Sequence, residues 1–184
     1  MPSTDWAIEN EEWKNIIQAY LACVSFVDYQ IGRVMEALEN SVYADNTVIV
    51  LWSDHGYRLG EKSTFAKHAL WEPATNAPLI FSGPGVQEGS VIDAPAEMLS
   101  IYPTLLELCG LPAYERNEGK SLVPLMKNST NQESTYAVTT FGRKNHAVRS
   151  DQYRYIRYED GEEEFYDYEK DPHEWTNQAG NAAY

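Results

Sequence analysis

Cysteine is scarce here: Cys23 and Cys109 are the only two in 184 residues. A pair so far apart outlines no disulfide framework, and two buried thiols are the expectation. Basic residues are also few, with 14 Lys and Arg against 28 Asp and Glu and a formal net charge of -14. That balance excludes a nucleic-acid partner, which needs a basic face to neutralise phosphates. It equally disfavours a polybasic membrane-contact surface. No apolar run reaches the roughly 18 residues that a membrane-spanning helix requires. The opening stretch "MPSTDWAIENEEW" has neither the basic n-region nor the apolar h-region of a signal peptide. Internal repeats and low-complexity segments are lacking as well.

Core-forming residues are plentiful. Hydrophobic residues make up 43% and aromatics 12% of the chain, including 13 Tyr and 5 Trp, which argues for a packed domain. Residues 11–40 carry Trp13, Ile16, Ile17, Tyr20, Leu21, Val24, Val27, Ile31, Val34 and Leu38 at three- and four-residue steps, predicting one long helix. Glu11 and Glu12 fall in its expected first turn, where the helix dipole favours anions. "NTVIVLW" (46–52) is short, continuous and β-branched, as expected of a strand buried on both faces of a parallel sheet. "PLIF" (78–81) is a second short strand, and a helix runs from Ile101 to a stop at Gly110. Composition turns polar near residue 128, where Asn128-Ser129-Thr130 matches a glycosylation triplet. Beyond it, "TYAVTTF", "HAVRS", "YRYIRY" and "EEEFYDY" predict a small antiparallel sheet, its last hairpin turning at Glu159-Asp160-Gly161. Its aromatics, Tyr153, Tyr155, Tyr158, Phe165, Tyr166 and Tyr168, are expected to pack the sheet against the main domain. Glu162–Glu164 is expected to be a solvated strand start. The fold class is therefore α/β: part of a mostly parallel sheet flanked by helices (1–128), followed by a small antiparallel-sheet subdomain (129–184).

The chemistry concentrates in "LWSDHGYRLGEKSTFAKHALWE" (51–72). Ligands of open α/β sheets bind at the carboxyl ends of strands, and Asp54 and His55 sit at such an end. Gly56 is expected to let the backbone leave the strand sharply. A carboxylate oxygen suits Ca²⁺ or Mg²⁺, whereas imidazole is more usual on Zn²⁺. Two ligands are too few for any of these. The alternative is a turn whose aspartate caps a helix and whose histidine faces solvent, and the four residues leave both open. Lys67 favours a site that handles an anion such as a phosphate or sulfate ester, whose leaving oxygen gains charge in the transition state.

"YLACVSFVDYQIGRVMEALE", "NTVIVLWSDHGYRLGEKSTFAKHALWEPATNAPLIFSGPG" and "YRYIRYEDGEEEFYDYEKDPHEWTN" together resemble the sulfatase family. The resemblance is nearest to its iduronate-2-sulfatase-like branch, within the alkaline phosphatase superfamily, and extends from about Trp13 to about Asn177. It implies that Asp54 and His55 ligate a Ca²⁺ ion and that Lys67 binds the substrate sulfate and assists its leaving oxygen. His68 is a further substrate-binding candidate, while Glu72 and Thr75 are expected to support the loop. The family's nucleophile is a formylglycine made from the Cys or Ser of C/S-x-P-x-R. Neither Cys23 nor Cys109 begins that motif, and Ser100 has its proline one position late. The chain is thus expected to be the C-terminal portion of a sulfatase, lacking the nucleophile and inactive alone. The implied substrate is a sulfate ester of a sugar or small organic molecule, and the implied compartment of the parent is periplasmic or extracellular. Two alternatives remain open: a portion of a related phosphatase or phosphonate hydrolase, and a non-catalytic interaction module. An unpaired edge of the central sheet is expected to drive self-association. His146, near Arg143 and Lys144, and His173 are expected to be structural.

Overall fold

The structure, a computed structural model, describes residues 3–127 and 135–184. In chain order its elements are α1 (Thr4–Glu9), α2 (Trp13–Glu39), β1 (Ile49–Trp52), β2 (Arg58–Leu59), β3 (Phe65–Ala66), α3 (Glu72–Thr75), β4 (Leu79–Ser82), α4 (Ile101–Leu108), α5 (Val123–Lys127), β5 (Tyr136–Thr140), β6 (His146–Ser150), β7 (Tyr153–Arg157) and β8 (Glu163–Asp167). The expected linker and its glycosylation triplet fall at 128–134, outside the described residues.

The chain divides into two units, one comprising Met1–Thr47 with Tyr57–Lys67, the other Val48–Gly56 with His68–Tyr184. In the first, Ser3 caps α1 by accepting the Trp6 N–H at 3.2 Å. The long helix expected at 11–40 starts two residues later, at Trp13. Glu11 adopts a left-handed φ of 57°, which separates α1 from α2 and leaves no acidic residue in the first turn of α2. The 27 residues of α2 bury none of their side chains.

In the second unit β1 pairs with β4 in antiparallel register, Ile49 opposite Ser82 and Trp52 opposite Leu79. Every strand pairing among the described residues is antiparallel. The parallel sheet expected from the apolar run is thus not found there. Nor is β1 buried on both faces: Ile49, Val50 and Leu51 are half-buried and Trp52 is exposed. Helix α4 ends as expected at Gly110, whose φ of 65° lets the Leu111 N–H reach Leu106 O at 2.8 Å. The buried Thr104 hydroxyl donates to Ser100 O at 2.6 Å and accepts the Leu122 N–H at 2.8 Å, tying α4 to the entry of α5. Both cysteines are exposed free thiols, contrary to the expectation of burial: Cys23 lies on the uncovered middle of α2 and Cys109 at the C-cap of α4.

The small antiparallel sheet is present, in the order β5-β6-β7-β8. Its inner face carries Ala147, Ile156 and Tyr166, which pack with Leu70 and, at the margin, Trp71 and Tyr158. The aromatics divide between its two faces, as strand alternation requires. Tyr153 stacks on Phe165 at 5.4 Å and Phe165 meets Tyr184 at 5.1 Å, whereas Tyr166 points into the core. Beside this core lies a buried charged cluster. Arg154, 2% exposed, donates to Leu70 O at 2.7 Å, to Tyr168 Oη at 2.8 Å and to Glu72 Oε2, and forms an ion pair with Glu174 Oε1 at 2.8 Å. Glu174, fully buried, accepts the Glu72 N–H at 2.9 Å. Burial acts to lower the Arg154 pKa, but the neighbouring Tyr168, Glu174 and Glu72 outweigh it and hold the group above its usual value. Glu164 is not the solvated residue expected: it accepts from Trp71 Nε1 at 2.7 Å, from the Tyr158 hydroxyl at 2.8 Å and from the Tyr166 hydroxyl. Burial, together with the Glu164 carboxylate, pushes both tyrosines above their usual pKa.

Arg154→Met removes one side of this cluster and leaves Glu174 buried without its cation. Breaking a buried pair in this way costs about 3–5 kcal/mol. Urea denaturation of the variant is expected to show a loss of that size; a loss below about 1 kcal/mol, the level of an exposed pair, would place the cluster's contribution elsewhere.

Candidate functional site

Asp54 and His55 leave the end of β1 side by side. His55 Nε2 lies 3.4 Å from Asp54 Oδ2, with the histidine side chain 31% and the aspartate side chain 72% exposed. His55 Nδ1 is 2.7 Å from Gly56 O. A carbonyl can only accept, so Nδ1 donates to it and Nε2 is the ring nitrogen placed beside the carboxylate. Two ligands at right angles on a cation, each about 2.4 Å away, are about 3.4 Å apart. The residue types and spacing therefore fit two positions of one coordination shell. They do not complete it: among the described residues no group of three or more His, Cys, Asp or Glu is placed to hold a metal.

Gly56 acts differently from expectation. Its φ is not in the left-handed region, and the requirement for glycine is steric. A Cβ there would lie 2.2 Å from Pro73 O and 2.5 Å from Asn76 O. The Gly56 N–H donates to Ala74 O at 2.9 Å, so the turn is seated directly on the backbone of α3. Ser53 Oγ donates to His55 O at 3.0 Å and completes the local bonding.

Lys67 belongs to the first unit and is exposed, directly after β3. The segment before it is tightly built. Arg58, buried, donates from Nε to Ala66 O at 3.1 Å and from Nη1 to Thr64 Oγ1. Trp13 of α2 donates to Leu59 O at 3.1 Å and meets Phe65 edge-on at 5.9 Å. Gly60, with φ of 120°, passes so near that a Cβ would lie 2.3 Å from the Trp13 ring. Lys62, Ser63 and Ala66 all have positive φ, at 52°, 58° and 84°. Such residues cost about 1–3 kcal/mol each and persist where their surroundings hold them. The residue types of Lys67, Asp54 and His55 were legible in the sequence. The Arg58 and Trp13 contacts were not, since an arginine in a two-residue strand reads as a solvated charge.

His68 belongs to the second unit, where its ring stacks on Phe141 at 5.4 Å and 24°. Phe141 opens the β5–β6 turn, with Phe141 N donating to Asn145 O at 3.0 Å. His146 Nδ1 pairs with Thr140 Oγ1 at 2.9 Å, and the His173 ring lies 6.2 Å from that of Trp175. Glu72 and Thr75 act in support, as expected: Glu72 joins the Arg154 cluster and the Thr75 hydroxyl donates to Trp71 O at 3.2 Å.

Comparison with known proteins bears on this arrangement. The sulfatase family model matches residues 3–111, and the model described as N-sulphoglucosamine sulphohydrolase, C-terminal, matches residues 60–184. The chain belongs to the sulfatase family. A sulfatase of Formosa agariphila is 70% identical over 98% of this chain and 36% of its own length. Arylsulfatase K of Gallus gallus is 29% identical over 92% of this chain and 34% of its own. A solved structure of a protein in complex with its substrate, D-glucosamine-2-N,6-O-disulfate, superimposes with a TM-score of 0.85 at 30% identity, covering 97% of this chain and 39% of that one. The phosphonate monoester hydrolase of Agrobacterium radiobacter, at 24% identity and a TM-score of 0.81, shares the fold. The sulfatase chain thus spans about a third of the length of the curated relatives it matches. These relatives are a sulfatase and an arylsulfatase, and the narrower iduronate-2-sulfatase-like assignment is not carried by them.

The geometry before Lys67 makes a local prediction. Removing one hydrogen bond worth about 1.4 kcal/mol raises the population of a locally opened segment roughly tenfold. Arg58→Met removes both the Ala66 O and the Thr64 Oγ1 bonds and is therefore expected to speed limited tryptic cleavage after Lys62 and Lys67 by at least that factor, with Arg58→Lys intermediate. Unchanged cleavage would show that Arg58 does not hold the segment.

Proposed function

We propose that this chain is the metal- and sulfate-binding portion of a sulfuric-ester hydrolase that acts on sulfated sugars or small organic sulfates. In this reading Asp54 Oδ2 and His55 Nε2 are two ligands of a Ca²⁺ ion, Lys67 binds sulfate oxygens, and His68 contacts the substrate. A cation held there supplies charge neutralisation as the ester bond to sulfur breaks. Lys67 stabilises the leaving oxygen by placing its ammonium beside the developing charge. The hydrogen bond to Gly56 O engages Nδ1 and orients the His55 ring, so that Nε2 is the nitrogen presented to a cation. The nucleophile, in a C/S-x-P-x-R motif, is supplied by sequence outside these 184 residues. The same reading makes β1 one strand of a larger, mostly parallel sheet, whose further strands pair with its open edge.

The observation that carries the proposal is the 3.4 Å spacing of Asp54 Oδ2 and His55 Nε2, with Nδ1 engaged by Gly56 O, within a chain of the sulfatase family. The disulfate-bound structure supports a sulfated sugar as the substrate class. A phosphonate monoester hydrolase is the second reading, supported by the shared fold.

Aryl-sulfate hydrolysis tests the proposal. The chain alone with Ca²⁺ is expected to give no turnover above background. Joined to the nucleophile-bearing portion of the Formosa agariphila relative, it is expected to turn over. There Lys67→Ala should lower kcat by about 10²–10³-fold, the magnitude for loss of one charge-stabilising donor. Turnover by the chain alone, or a preference of the joined protein for phosphonate monoesters, would sink the reading.

A further inference from the structure

The segment that ends in Lys67 is strained at the peptide through which the chain enters that residue. Ala66 closes β3 with φ of 84°, whereas strand residues lie at about −120° to −140°. Its Cβ disfavours that conformation, which persists only where the surroundings hold it. The Ala66 carbonyl and the Lys67 N–H share one peptide plane. Whatever holds the Ala66 oxygen therefore also fixes the direction in which the backbone leads into Lys67.

Arg58 is a group that holds it. Arg58 faces Ala66 across the β2–β3 pairing, donates from Nε to Ala66 O at 3.1 Å and donates from Nη1 to the Thr64 hydroxyl. Its donors lie in one rigid plane, so residues 64 and 66 are held together. The side chain is also buried, at 4% exposure, where a guanidinium is costly to place. A glycine at 66 would take the positive φ without strain, but it would leave the peptide free to turn over. A strained alanine held by a buried arginine admits one orientation. The other end of the turn has its own supports: Leu59 N–H donates to Glu61 Oε2 at 2.5 Å, and Trp13 donates to Leu59 O at 3.1 Å. Loss of Arg58 is thus expected to release residues 64–67 without dissolving the turn. We propose that Arg58 is a positioning residue for Lys67: by holding the Ala66 carbonyl it fixes the peptide that keeps the Lys67 ammonium within reach of the leaving oxygen. The inference rests on the sulfatase reading for the role of Lys67, and on the contact of Arg58 with Ala66 for the means. A misplacement of about 1 Å can lower a rate by about 10²-fold.

Two measurements test this. The first needs no activity: a crystal structure of this chain carrying Arg58→Met. The expected result is that Ala66 leaves positive φ and the Lys67 Cα moves by about 1 Å or more, while the Trp13 contact with Leu59 is retained. An unchanged Ala66 φ with Lys67 in place overturns the proposal. The second is aryl-sulfate hydrolysis by the joined protein described above. Arg58→Met is expected to lower kcat by about 10²-fold with little change in KM. The loss should be larger for phenyl sulfate, a poor leaving group, than for nitrophenyl sulfate, because the leaving oxygen of phenyl sulfate carries more charge and depends more on Lys67. Arg58→Lys, which keeps a charged donor for Ala66 O, should restore part of the rate. In a Lys67→Ala background Arg58→Met should have little further effect, since the group it positions is gone. Equal losses for both esters, or an undiminished loss in the Lys67→Ala background, would make the role of Arg58 structural and overturn the proposal. Absence of turnover in the joined protein before any substitution counts against the sulfatase reading, and the crystal structure then decides on Arg58.

Discussion

The Arg154 guanidinium is the point on which the second unit depends. Taking an arginine out of water costs several kcal/mol, and the cost is offset only when nearly every N–H finds an acceptor and the charge finds a counter-charge. Here the acceptors, Leu70 O, Glu72 and Tyr168, and the counter-charge of Glu174 come from widely separated parts of the chain. One side chain on β7 therefore fixes the segment after His68, the start of α3 and the chain beyond β8. The apolar cluster of Leu70, Ala147, Ile156 and Tyr166 is small. It does not by itself specify where the 70–72 segment lies, whereas directional bonds to Leu70 O and Glu72 do. The arginine contributes specificity of placement more than net stability.

The first unit inverts this balance. Its polar interactions are local and well made, as in the bonds from Arg58 to Ala66 O and from Trp13 to Leu59 O. Its apolar surface is not accounted for. Tyr20 meets Tyr57 at 5.2 Å, but every residue from Gln18 to Tyr29 is exposed. Helices in proteins draw most of their stability from packing an apolar face. The polar turn is thus set by local sequence, while the apolar residues in the middle of α2 are exposed.

What was legible in the sequence follows the same division. Periodicity depends on side-chain type alone, so α2 and the four strands of the small sheet could be located to within a residue or two. The Gly161 turn was visible for the same reason, since its φ of 91° demands glycine. Strand direction was not legible. β1 has the apolar run of a parallel strand, yet its partner here is the antiparallel β4. The charged cluster was hidden because Glu72, Arg154, Glu164 and Glu174 look like surface residues until the fold brings their partners to them. Of the candidate site, the donor types at Asp54, His55 and Lys67 could be named; what sets their geometry could not. No pattern in the sequence announces that Trp13 fills the space beside Gly60 or that Phe141 lies under His68.

Gly56 shows how much chemistry such unannounced contacts carry. Its missing side chain allows the turn to sit against Pro73 O and Asn76 O, and its N–H holds Ala74 O. Its carbonyl is then fixed in place 2.7 Å from His55 Nδ1. That bond engages Nδ1 and leaves Nε2 as the ring nitrogen beside Asp54 Oδ2. A larger residue at 56 would push the turn off α3, move the carbonyl and release the ring to either tautomer. The glycine therefore governs how its neighbours are presented, through sterics and a single carbonyl. The Asp-His-Gly block is thus one unit: two side chains and the backbone feature that aims them.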